Sequence, residues 1–189
     1  RKYGWPTHER QAYRYFVGNG IPKLVERLAP ADQRTPAVLE AALADFKRDY
    51  GQHLRDTTAP YPGIPEMLAK LKANGVQLAV FSNKADALAK EVVKDYFGTQ
   101  YFTIVRGQMT GVAPKPAAEG TNALLQALHA DPASTLYVGD SNVDVETAHN
   151  ANLPCCGAVW GFRTREELNA AGAEYLAENS DELYDVIMK

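Results

Sequence analysis

Two aspartates stand four residues apart in Leu136–Asp144, "LYVGDSNVD", where an apolar run stops at Gly139 and Asp140. Asp140 offers the hard oxygen ligands that a divalent cation takes, and Asp144, at the start of a following helix, can reach back toward the same spot. Gly139 lets the backbone come close to a ligand. Two other stretches carry complementary groups. "VFSNK" ends an apolar run in Ser82 and Asn83, and "GVAPKP" holds Lys115 as a compact cation between two prolines that stiffen its loop. Hydroxyl, lysine and paired carboxylates suit a phosphate held beside Mg²⁺. Each piece also has an ordinary reading. Gly-Asp can be a turn with a helix cap, Asp144 a first-turn carboxylate favoured by the helix dipole, Ser-Asn a turn, and Lys115 a solvated charge. Their order and placement together favour the site.

The elements that must position these residues fall into two groups, separated by the proline-rich stretch "TTAPYPG", Thr57 to Gly63. Before it the chain reads as a small helical domain, residues 1–58. Thr7 is expected to cap a helix running toward Phe16, "PKLVERL" follows the glycines of "GNG", and Val38, Leu39, Ala42, Leu43, Phe46, Tyr50 and Leu54 recur at helical spacing. After it, in residues 59–189, strand and helix signals alternate. Pro65 opens a helix whose Met67, Leu68 and Leu71 face one way. "VQLAVFS" is apolar enough for a strand buried on both faces. Further strands are expected at "YFTIVRG", "STLYVGD", "CCGAVWG" and "AEYLAE", with helices carrying Leu88 to Phe97, Leu124 to Leu128 and about Val143 to Asn150, and another from Asp181. Alternation of this kind implies an α/β fold with a doubly wound parallel sheet. Ligands then sit beyond the carboxyl ends of the strands, where Ser82, Asn83, Lys115, Asp140 and Asp144 converge.

Composition narrows the partners. Twenty basic and 23 acidic residues give a net charge of -3 without a long block of like charge, which argues against nucleic acid as the main partner. No apolar run approaches a membrane span and no basic-then-apolar leader opens the chain, so no membrane partner and a cytoplasmic location are expected. Cys155 and Cys156 are adjacent and read as two small buried strand residues, because a disulfide between neighbours is strained. The four histidines are scattered over helical stretches and read as surface or packing residues.

"VFSNK", "KP" and "GDSNVD", in that order behind successive strands, resemble the second, third and fourth motifs of the haloacid dehalogenase-like (HAD) phosphatases. "FVGNGIPKLVERL", "PYPGIPEMLAKLKANG" and "VWGF" extend the resemblance to the phosphoglycolate phosphatase branch, whose small helical cap domain accompanies a Rossmann-like core. The resemblance implies a Mg²⁺-dependent phosphomonoester hydrolase that acts on a small phosphorylated metabolite through an aspartyl-phosphate. Sugar-phosphate mutases and pyrophosphatases on the same frame are the alternatives. It further implies that Ser82 and the backbone at Asn83 bind phosphoryl oxygens and that Lys115 neutralises charge there. Asp140 is implied to hold Mg²⁺, with Asp144 as a further ligand or as orienter of a bound water. In the cap, "VGNGIPK" could present the amides of Asn19 and Gly20, or the Lys23 ammonium, to an anion at a helix N-terminus. Gly18 and Gly20 could equally make only a turn. Trp160 and Phe162 either border the site or cap the core.

The family's first motif, a strand ending in Asp-x-Asp-Gly-Thr that carries the attacking aspartate, has no counterpart in these 189 residues. In the family fold that strand lies between the one ending at Ser82 and the one ending at Asp140. The expectation is therefore that the sequence is part of a longer protein, or that another segment or chain fills the gap, and that these residues alone are catalytically inactive.

Overall fold

The computed structural model describes residues 2–189, and the chain divides into two compact units, Arg1–Thr58 and Ala59–Lys189. Arg1, where the expected helical domain begins, lies outside the described residues.

The first unit contains α1 (Arg10–Phe16), α2 (Ile21–Leu28) and α3 (Pro36–Gln52). Thr35 accepts a hydrogen bond from the Val38 amide, and Pro36 follows with its φ already helical, so α3 starts where a hydroxyl cap and proline coincide. Thr7 does not cap α1. That helix begins three residues later, with Glu9 in the cap position and no side-chain bond. The segment before it is held by tertiary contacts instead. Lys2 and Tyr3 donate to the Asp45 carboxylate of α3, and Trp5 Nε1 donates to Gln33 Oε1 at 2.7 Å. Val25, Ala29, Ala42 and Leu54 are this unit's buried apolar residues.

The second unit runs α4 (Ile64–Ala73), β1 (Leu78–Ala85), α5 (Asp86–Phe97), β2 (Phe102–Gln108), α6 (Glu119–Leu128), β3 (Tyr137–Gly139), α7 (Asn142–Asn150), β4 (Cys155–Ala158), α8 (Arg165–Ala170), β5 (Tyr175–Ala177) and α9 (Ser180–Ile187). Helix α8 was not anticipated, although Thr164 and Glu167 form a capping box that marks its start.

All strand pairings among the described residues are parallel, and they make two sheets, β1–β2 and β3–β4–β5, with the break between β1 and β3, where the absent first motif led a gap to be expected. Strands β1 and β3 thus each bond to a single neighbour. This explains why "VQLAVFS" is not buried on both faces: Ala79 is exposed, and in β3 Val138 is 39% exposed. A strand with one neighbour leaves its other edge uncovered.

Strand β4 is buried along its whole length, and strand alternation sends its two thiols to opposite faces. Cys156 packs with Met67, Leu71 and Leu183 on the α4–α9 side, and Cys155 with Val145, Ala148 and Leu168 on the α7–α8 side. Burial pushes the Cys155 thiol up to about 12 and Cys156 up to about 11, so both stay protonated. Full burial of a leucine such as Leu71 or Leu168 stabilises by roughly 1.5–3 kcal/mol. An exposed ion pair such as Arg165–Glu178 contributes about 0–1 kcal/mol, so packing on the two faces of β4 dominates this unit.

Candidate active site

Strand β1 loses its register where the candidate residues begin. Phe81 pairs with Arg106, pairing resumes only at Ala85 with Gln108, and Ser82, Asn83 and Lys84 stand opposite Gly107 alone. Only glycine fits there, because a Cβ on Gly107 would lie 2.5 Å from both Asp86 Cα and Lys84 O. A bulge of this kind bends the strand and re-aims its side chains. Ser82 Oγ accepts from the Lys84 amide at 3.1 Å, which folds the bulge on itself. Asn83 turns inward and is 9% exposed.

Asn83 meets Lys115 at two points. Its Oδ1 accepts from the Lys115 amide at 2.8 Å and its Nδ2 donates to the Lys115 carbonyl at 3.1 Å. The Lys115 ammonium then donates to Asp144 Oδ1 at 2.7 Å and to Phe81 O at 3.4 Å. Both side chains of the ion pair are nearly enclosed, at 12% exposure for Lys115 and 9% for Asp144.

Asp144 is the third residue of α7, so its carboxylate can fold back onto the turn that precedes the helix. Oδ2 accepts from Ser141 Oγ at 2.6 Å, from the Ser141 amide at 3.1 Å and from the Asp140 amide at 3.3 Å. Of the two roles expected for Asp144, metal ligand or orienter, this geometry disfavours the first, because both oxygens already serve protein donors. Gly139 is required by the same packing, since a Cβ there would lie 2.1 Å from Asp144 Cβ.

Asp140 sits between β3 and the loop that follows β4. Its Oδ2 accepts from the Phe162 amide at 3.2 Å and its carbonyl from the Arg163 amide at 3.0 Å. Gly161 packs against it so closely that a Cβ there would lie 2.3 Å from Asp140 Oδ2. Burial, then the Asp144 charge, raises the Asp140 pKa, and the Phe162 amide, Lys115 and Arg163 oppose the rise. A desolvated carboxylate beside a second one is poised to gain from a cation.

Asn83, Lys115, Asp140 and Asp144 are therefore joined in one hydrogen-bonded cluster at the carboxyl ends of β1 and β3, and Ser82 lies next to it on the bulge. In the other unit, Gly18 and Gly20 both have positive φ, and Gly20 occupies the cap position of α2. Asn19 Oδ1 accepts from Arg27 Nη2 at 2.9 Å, while Lys23 is paired with Glu26 at 2.8 Å. Three site features escaped the sequence reading: the Asn83 side chain, the Phe162 amide and the buried Arg163. The "VWGF" string pointed to the right loop but not to its backbone. Trp160 packs toward the α4–α9 core, whereas Phe162 is 42% exposed, so the two residues of that loop divide the roles left open.

Among the described residues no group of three His, Cys, Asp or Glu side chains is arranged to hold a metal ion, and no helix is long and apolar enough to cross a membrane.

The chain is 30% identical over 159 residues to the phosphoglycolate phosphatase of Mesorhizobium japonicum, covering 83% of this chain and 70% of that protein. It is 33% identical over 150 residues to the phosphoglycolate phosphatase of Neisseria meningitidis serogroup A, covering 78% and 64%. The chain thus spans about two thirds of the length of these relatives. A crystal structure from Lactobacillus delbrueckii subsp. bulgaricus, provisionally assigned as a phosphoglycolate phosphatase, superposes with a TM-score of 0.89 at 26% identity, covering 95% of this chain and 83% of that one. The family model described as haloacid dehalogenase-like hydrolase matches residues 1–158, and this chain belongs to that family.

Proposed function

We propose that this chain supplies the phosphoryl-binding and metal-binding parts of a phosphomonoester hydrolase acting on a small phosphorylated metabolite, with phosphoglycolate the first substrate to test. The observation that carries the reading is the buried Lys115–Asp144 pair beside the desolvated Asp140. Phosphoryl transfer depends mainly on positioning and electrostatics, and this cluster provides both. The names of the two curated relatives support the substrate class.

The chemistry of the Asp140 carboxylate supports a fit to Mg²⁺. Mg²⁺ usually takes one or two carboxylates and completes its shell with water and substrate oxygens, so Asp140 suffices as the ligand from this chain. When bound, Mg²⁺ supplies positive charge that neutralises the phosphoryl oxygens. Asp144 acts as orienter, holding the Asp140 and Ser141 amides in place. The Ser82 hydroxyl and the backbone at Asn83 bind phosphoryl oxygens, and the Lys115 ammonium balances charge on the transferring group. In the helical unit, which we read as the cap, Gly18, Asn19, Gly20 and Lys23 at the start of α2 are the proposed substrate contacts. The buried, reduced thiols Cys155 and Cys156 suit a cytoplasmic setting.

The attacking aspartate is proposed to lie on a segment outside these residues that pairs with both β1 and β3. What supports this is that, among the described residues, each of those strands bonds to one neighbour only. That aspartate's carboxylate oxygen forms the bond to phosphorus as the ester bond breaks and the leaving oxygen takes up a proton. Water then cleaves the aspartyl-phosphate and regenerates the carboxylate. These 189 residues alone are proposed to be inactive.

The test is phosphate release from 2-phosphoglycolate with Mg²⁺, measured for the 189-residue chain and for a longer form carrying such a segment. Release by the longer form alone, lost in Asp140→Asn, is expected. Turnover that survives Asp140→Asn would overturn the site assignment.

A further inference from the structure

We propose that the Asn83 side chain is a positioning residue that sets where the Lys115 ammonium stands. The inference deepens the site described above and rests on the proposal that Lys115 meets the phosphoryl group.

Lys115 belongs to no helix or strand; it lies in the connection between β2 and α6. Its four-carbon stem is rich in rotamers, so the ammonium has a defined position only if the main chain beneath it is held. Asn83 holds it. One amide satisfies both the N–H and the C=O of Lys115, at 2.8 and 3.1 Å, as a neighbouring strand would. It does so from a nearly buried position, 9% exposed, on the bulge of β1. Phe81, two residues before Asn83 on the same strand, contributes the carbonyl that the ammonium reaches at 3.4 Å. The far end of the stem is then fixed on Asp144 at 2.7 Å. Strand β1, the Lys115 loop and the first turn of α7 are joined through these bonds, although β1 and β3 share no pairing. Asn83 therefore acts through Lys115: its backbone is a proposed phosphoryl contact, and its side chain aims the cation.

The probe is inorganic phosphate in the presence of Mg²⁺, titrated calorimetrically into the 189-residue chain as wild type, Asn83→Ala, Lys115→Met and the double variant. Asn83→Ala is expected to weaken phosphate binding about tenfold, Lys115→Met at least as much, and the double variant no more than Lys115→Met, because the two changes act through one group. Equal weakening by Asn83→Ala in both backgrounds would show that Asn83 works independently of Lys115 and overturn the proposal. Unchanged affinity in Lys115→Met would remove the phosphoryl role of Lys115, and the proposal with it, so the two failures are distinguishable. Amide hydrogen exchange on the unsubstituted protein keeps the test open if Asn83→Ala fails to fold. The Lys115 amide should exchange slowly, and exchange at the rate of an open loop would overturn the clamp.

Discussion

Lys115 and Asp144 form an ion pair of 2.7 Å, both side chains nearly enclosed, and it ties the loop after β2 to the first turn of α7. The two ends of this pair are not equivalent. Asp144 also receives two amides and the Ser141 hydroxyl, whereas among the described residues the ammonium's other hydrogen bond is the long one to Phe81 O.

That asymmetry predicts unequal costs. Asp144→Ala leaves a buried ammonium without its carboxylate and releases the turn before α7, a loss of about 3–5 kcal/mol. Lys115→Met keeps the apolar stem and leaves Asp144 with its remaining donors, so its cost is smaller, about 1–2 kcal/mol. Urea midpoints of the two variants, compared at equal slope, measure the difference, and equal costs would contradict the account.

Asp140 should show function opposing stability. Burial and the neighbouring Asp144 raise its pKa, so at neutral pH the ionised carboxylate costs the folded state free energy relative to the unfolded chain. Asp140→Asn removes that charge and keeps an oxygen for the Phe162 amide. The metal-free variant is expected to melt a few degrees higher than wild type, on the scale of about 2–4 °C per kcal/mol for a chain of this size, while phosphate release by the longer form is abolished. Thermal denaturation with a chelator present reads the first effect, and a lower melting temperature would contradict it.

Gly139 and Gly161 are packing requirements. A methyl group at Gly139 meets Asp144 Cβ and one at Gly161 meets the Asp140 carboxylate, each closer than 2.5 Å. Gly139→Ala and Gly161→Ala should each destabilise by about 1–3 kcal/mol. They should also weaken Mg²⁺ binding, because the groups displaced are Asp140 and its support. Calorimetric metal titration beside a denaturation curve separates the two effects.

Asp86 gives the pH dependence. Its carboxylate opens α5, accepts from Lys90 at 2.7 Å and from the Gly107 amide at 2.9 Å, and these two bonds lower its pKa. A carboxylate whose folded pKa is depressed contributes stability above its unfolded value and loses it as pH falls through the folded value. Asp86→Asn should therefore cost about 0.3–1 kcal/mol at neutral pH, the range for a first-turn carboxylate. The gap from wild type should close on acidification below the ordinary carboxylate range, as chemical denaturation at stepped pH would measure. A gap that widens in acid would contradict the assignment.

The sequence by itself determined the alternation of helices and strands, the helical character of residues before Thr57 and the nine positions worth placing. Those signals are local. Periodicity at Met67, Leu68 and Leu71, a helix-opening proline at Pro65, and glycine-aspartate after an apolar run all act over a few residues. Thr7 shows the limit of such signals, because a potential cap has no effect where tertiary bonds from Lys2, Tyr3 and Trp5 set the path of the chain.

Only the tertiary structure decided how the site is assembled. Asn83 and Lys115 are 32 residues apart, Lys115 and Asp144 are 29 apart, and Asp140 and Phe162 are 22 apart. No local pattern states that an amide will clamp a lysine's backbone, that Asp144 will spend both oxygens on protein donors, or that Phe162 will give Asp140 an N–H. The division into two sheets was expected only from the absent first motif and not from the apolar runs of β1 and β3, because a strand's own residues specify its alternation and not which neighbours its backbone finds.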